Sequence, residues 1–137
     1  MLRPLPTDPA AWRRLRLFIF DLDGTLIDSK RDLINSVNAT CKEFGFPSLL
    51  EKQIAGFIGQ GAPVLIRKAL DHTQDDELVQ KAVEFFRAYY GEHMLDTTVT
   101  YPGVRAALTA LAAGHRVLTV LTNKPERFSR HILTGLG

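Results

Sequence analysis

The amino-acid sequence predicts an α/β fold, a partial doubly wound, Rossmann-like parallel sheet with a long helical segment inserted between its strands. Three observations lead there. An apolar run, Phe18-Ile19-Phe20, delivers two carboxylates, Asp21 and Asp23, and then a glycine. A second run, Val117 to Leu121, is almost uniformly apolar and ends in Thr122-Asn123-Lys124-Pro125. Between them, the sequence from Ser29 to Leu95 carries helical spacing almost throughout. Doubly wound sheets commonly have about five or six strands, and only two core strands are readable here.

Taken in order, Met1 to Trp12 contains prolines and no apolar core of a secretory signal. Arg13, Arg14 and Arg16 then form a basic cluster around Leu15, read as a solvated lead-in to the first strand. Residues 17–22 are that strand. Side chains at i and i+2 of a strand share a face, so Asp21 and Asp23 can both lean over its C-terminal end, where α/β sheets place ligands. One carboxylate can attack while the other moves protons. Ordinary turn acids are the bland alternative, since Asp-x-Asp-Gly is common where strands give way to loops. Asp28 and Ser29 read as N-cap residues of the next helix.

Leu33, Val37, Cys41 and Phe44 make the apolar face of that helix, which Gly45 and Pro47 end. A short helix around Leu49 to Phe57 follows, then a Gly59-Gln60-Gly61 turn, then a helix from Val64 to Leu70. Asp75 begins the longest helix, striped by Leu78, Val79, Ala82, Phe85, Phe86 and Tyr89. Pro102 is expected to open a helix that runs to about Ala113 and stops at Gly114. Val117 to Leu121 is a parallel strand by its buried character. Taken alone, Thr122 and Asn123 read as caps of a helix over 125–136.

The run Asp21-Leu22-Asp23-Gly24-Thr25-Leu26-Ile27-Asp28-Ser29 resembles the first motif of the haloacid dehalogenase-like hydrolases, with every position of Asp-x-Asp-Gly-Thr-Leu-x-Asp-Ser filled. Within them the chain looks most like the phosphoglycolate phosphatase branch. The resemblance implies that Asp21 is the nucleophile, taking the phosphoryl group as an aspartyl-phosphate, and that Asp23 is the general acid and base. It implies Mg²⁺, held by the Asp21 side chain and the Asp23 backbone carbonyl, with Gly24 and Thr25 at the phosphate. At the second strand it makes Thr122 a donor to the phosphoryl group and Asn123 a neighbouring donor. Lys124 is a substrate-binding candidate whose role stays open between site and helix start.

Residues 29–96 resemble the family's helical cap, and residues 1–28 and 97–137 its core. Gly59, Gly61 and the helix after them resemble the cap's specificity loop, with Arg67 and Lys68 as candidate cations for a substrate carboxylate. Solvated charges are an equal reading of those two. The family's later lysine and acidic pair have no counterpart here, so the chain reads as truncated after the second motif and poorly active alone.

The function expected is Mg²⁺-dependent hydrolysis of a small phosphomonoester, 2-phosphoglycolate first. The alternatives are a sugar phosphomutase and a non-catalytic remnant that binds partners. With 17 Lys and Arg against 15 Asp and Glu, the net charge of +2 argues for neither nucleic acid nor membrane. No apolar run approaches transmembrane length. Cys41 is the sole cysteine, which agrees with a cytoplasmic location. The four histidines show no metal-ligand spacing. A small phosphorylated metabolite is the expected ligand, and self-association through uncovered core strands is expected of so incomplete a sheet.

Overall fold

A computed structural model describes Asp8 and residues 14–137. Arg13 and the Met1–Trp12 segment, apart from Asp8, lie outside the described residues. Strand β1 (Leu17–Phe20) pairs in parallel with β4 (Val117–Val120), Leu17 opposite Val117 and Phe20 opposite Val120. A second ribbon pairs β2 (Ile27–Asp28) antiparallel to β3 (Val99–Thr100). Between β2 and β3 lie four helices: α1 (Lys30–Glu43), α2 (Glu51–Ala55), α3 (Ala62–Ala69) and α4 (Asp76–His93). Helix α5 (Val104–Ala113) precedes β4, and α6 (Glu126–Leu136) follows it.

The small ribbon was not legible as strand, because two residues on each side carry no alternation. It closes the two ends of the helical segment onto each other. Tyr101 N–H donates to the Leu26 carbonyl at 3.1 Å. Beside it Asp32, in the first turn of α1, accepts from the backbone N–H and the hydroxyl of both Thr97 and Thr98, at 2.6–3.1 Å. Asp32 is buried. Burial alone would raise its pKa, but the hydrogen bonds from Thr97 and Thr98 outweigh it and hold the carboxyl below its ordinary value of 3.8.

The core lies among the helices. Leu33, Val37 and Cys41 of α1 meet Ile66 and Ala69 of α3 and Val79, Ala82, Val83 and Phe86 of α4 in one buried cluster. Phe128 and Ile132 of α6 join it, as does Leu22 beyond β1. Asp75 caps α4 as expected, its carboxylate accepting from Leu78 N–H at 2.9 Å. Pro102 does not open α5: Gly103, with φ +83°, is its N-cap, and the helix begins at Val104. A left-handed N-cap favours glycine, which displaces the start past the proline.

The β1–β4 sheet is covered on one face only. Phe18, Phe20, Leu118 and Val120 are half-buried, whereas Leu17, Ile19 and Val117 are 52%, 56% and 60% exposed. Parallel strands ordinarily bury both faces, so this side keeps the residues of an interior without its cover. Helix α5, although rich in Ala and Leu, has no buried residue.

Candidate functional site

A tight turn leads the chain out of β1. Leu22 carbonyl accepts from Thr25, Leu26 and Ile27 N–H, and Gly24 N–H returns to the Ile27 carbonyl at 2.9 Å. Gly24 sits at φ +77°, and a Cβ there would meet nothing within 4 Å, so glycine is required by conformation rather than by crowding. The turn presents both acids on one side, and Asp21 and Asp23 line the same cavity of about 200 Å³. Asp21 is exposed, and its Oδ1 accepts from Leu22 N–H at 2.7 Å.

Asp23 is held more firmly. Its Oδ1 accepts from Ser29 Oγ at 2.5 Å and faces Lys124 Nζ at 3.1 Å. Ser29 is the N-cap of α1 by position, yet its side chain makes no capping bond. The capping role expected from sequence is therefore corrected: the buried hydroxyl turns inward to the acid. Asp28 also differs from a plain cap, accepting from Lys30 N–H at 3.3 Å one residue outside the N-cap.

Lys124 resolves into the site. Its side chain is 5% exposed, and besides Asp23 its Nζ donates to the Tyr90 hydroxyl at 2.8 Å and lies 4.6 Å from that ring's centre. Burial pulls its pKa below the ordinary lysine value, with Asp23 opposing. Thr122 lines the cavity, its hydroxyl oxygen accepting from Lys124 N–H at 3.2 Å. The helix that follows is capped at Pro125, so neither Thr122 nor Asn123 is its N-cap. Asn123 lines the cavity as well, but its side-chain amide donates to the Gly59 carbonyl at 2.9 Å, tying the loop after β4 to the loop before α3.

Gly59 and Gly61 line the cavity at φ +99° and +86°. Gly24 and Thr25 do not line it. Arg67 is elsewhere too: its guanidinium donates to the Thr73 carbonyl at 2.9 Å and pairs with Asp76 at 2.6 Å. Lys68 reaches Gln60 at 2.9 Å. Both cations expected to meet a substrate carboxylate are thus engaged within the α2–α4 region, and neither lines the cavity.

The oxygen donors suit a hard cation. The Asp21 carboxylate and the Asp23 carbonyl are of the type Mg²⁺ takes, and Mg²⁺ commonly keeps waters and substrate oxygens for its remaining positions. Among the described residues no group of three or more His, Cys, Asp or Glu could hold a metal.

A family model described as haloacid dehalogenase-like hydrolase matches residues 18–137. The chain belongs to the haloacid dehalogenase-like hydrolases. A phosphoglycolate phosphatase of Haemophilus influenzae is 39% identical over 131 residues, covering 90% of this chain and 58% of the relative. One from Pseudomonas savastanoi pv. phaseolicola is 44% identical over 124 residues, 86% of this chain and 45% of the relative. The crystal structure of a predicted phosphoglycolate phosphatase from Haemophilus somnus superposes with a TM-score of 0.85 at 35% identity, over 90% of this chain and 58% of that one. The chain thus spans roughly half the length of these relatives. Ser29 and Tyr90 are the polar members of the site that sequence reasoning missed. Ser29 was visible as the last residue of the first motif; Tyr90, one place beyond the helical stripe, gave no signal.

Proposed function

We propose that this haloacid dehalogenase-like hydrolase acts as a phosphatase on small phosphomonoesters, with 2-phosphoglycolate, the ester named for its relatives, the first candidate. The observation that carries the reading is the placement of Asp21, Asp23, Thr122 and Lys124 around one cavity, with Asp23 fixed by Ser29 and Lys124. Asp21, accessible and unencumbered on its outer oxygen, attacks phosphorus as the ester P–O bond breaks. Asp23 delivers a proton to the departing alkoxide, then takes one from the water that attacks the aspartyl-phosphate, releasing phosphate and restoring Asp21. Lys124 offsets the charge that gathers on the phosphoryl oxygens. Thr122, its oxygen already accepting from Lys124 N–H, keeps its hydroxyl proton for the same oxygens.

Asp21 and the Asp23 carbonyl would hold Mg²⁺, which when bound supplies the positive charge that lets a carboxylate approach a phosphate dianion. Residues 29–96 are proposed as a cap over a core of residues 1–28 and 97–137. The Asn123–Gly59 and Lys124–Tyr90 hydrogen bonds support that reading by joining the loop after β4 to the loop before α3 and to α4. The cytoplasm is the compartment proposed, in keeping with the single, buried Cys41. Among the described residues no helix is long and apolar enough to cross a membrane.

The test is release of inorganic phosphate from 2-phosphoglycolate with Mg²⁺ and with a chelator, in the wild type and Asp21→Asn. Mg²⁺-dependent release that Asp21→Asn abolishes supports the reading. Release that survives Asp21→Asn, or that ignores the metal, contradicts it.

A further inference from the structure

The helical side of the cavity is almost wholly apolar. Leu33, Ile58, Leu65 and Phe86 wall it, and among the described residues the only polar side chain contributed from α1 to α4 is Tyr90. The Tyr90 ring is fixed: Phe86 stacks parallel at 5.8 Å, Phe128 meets it edge-on at 5.4 Å, and the residue is 1% exposed. Its hydroxyl oxygen accepts from Lys124 Nζ. An ammonium has no lone pair, so the phenolic proton cannot be directed at Lys124. No acceptor for that proton stands among the described residues. Burial, with the negative charges of Asp23 and Asp32, pushes the phenol above its ordinary value and keeps the proton on it.

We propose that Tyr90 is the specificity-determining residue of this site, its hydroxyl donating to an oxygen of the substrate beyond the phosphate. The ligand class follows: a small phosphomonoester whose distal group is an oxygen acceptor such as a carboxylate. A purely aliphatic distal group would enclose the phenolic proton without a partner, which is how a hydrogen-bonding site rejects an analogue. The role that sequence suggested for Arg67 and Lys68 passes to Tyr90, the one polar side chain on that wall. This inference rests on the phosphatase reading for where the phosphate sits.

Calorimetric titration of the 137-residue chain, with Mg²⁺, compares 2-phosphoglycolate, ethyl phosphate and inorganic phosphate. The wild type is expected to bind phosphoglycolate roughly tenfold more tightly than ethyl phosphate, the worth of one such hydrogen bond to a charged acceptor. Tyr90→Phe keeps the ring packing and is expected to erase that preference, weakening phosphoglycolate about tenfold more than ethyl phosphate or inorganic phosphate. Equal wild-type affinity for the two esters, a result that needs no variant, overturns the proposal. So does Tyr90→Phe weakening all three ligands alike, since Tyr90 would then act only through Lys124. Wild-type protein that binds none of the three sinks the phosphatase reading and this inference with it; phosphate binding without ester discrimination sinks this inference alone.

Discussion

Asp32 has no place in the chemistry, yet it is the most heavily hydrogen-bonded carboxylate described, and it fastens the start of α1 to Thr97 and Thr98. Asp32→Asn turns an amide N–H toward groups that are themselves donors, and is expected to lower stability by about 3 kcal/mol in urea unfolding. Its folded pKa is depressed, so its contribution is present above the ordinary value of 3.8 and lost as pH falls through the lower folded one. The gap between wild type and Asp32→Asn should narrow in that acidic range; a gap independent of pH would contradict the assignment. At Ser29 the expected effect is catalytic. Ser29→Ala removes the 2.5 Å bond to Asp23, and should reduce kcat about tenfold with KM little changed, read from initial rates. These two residues show why a motif is read more easily than a role. Ser29 and a helix start were both visible in sequence, but whether its hydroxyl turns to the helix or to the acid depends on where Asp23 lies, six residues back and across a turn.

Among the elements, helices with long apolar stripes were legible because burial repeats every turn. The stripe of α4 was read one position short, with Tyr89 on its edge and Tyr90 unassigned, and it is Tyr90 that lies fully inside. The β2–β3 ribbon was invisible for the opposite reason: two-residue strands have no period, and their pairing is fixed by the Tyr101–Leu26 bond and by Asp32. The loops that meet at the cavity gave only residue types. Asn123 shows the consequence, a donor by type whose amide is spent on Gly59. Asn123→Ala should therefore loosen the Gly59–Gly61 loop, raising hydrogen exchange of the amides around it by the worth of one exposed hydrogen bond, about 1 kcal/mol. Unchanged exchange there would show that the link does not hold the loop.

The molecule as a whole joins a well-covered helical core to a two-stranded sheet with one bare face. Leu17, Ile19 and Val117 on that face, with both outer strand edges unpaired among the described residues, make association the expected behaviour of the isolated chain. Sedimentation velocity should show mass rising with concentration, and the double variant Leu17→Lys, Val117→Lys should return it toward monomer; a wild type that stays monomeric throughout would contradict this. The two strands of this sheet were legible in sequence as two apolar runs, while which of their side chains stay exposed needed the register of β1 against β4. That same sheet carries Asp21 at the end of β1 and Thr122 on the loop after β4, so the proposed chemistry depends on it. The most direct measurement is to incubate the chain with Mg²⁺ and 2-phosphoglycolate, quench in acid and map the peptides by mass spectrometry. A phosphoryl group on Asp21, absent from Asp21→Asn, is the result expected. Ester hydrolysis with the phosphoryl group found on another residue, or a chain that neither hydrolyses the ester nor takes up phosphoryl on Asp21, would contradict it.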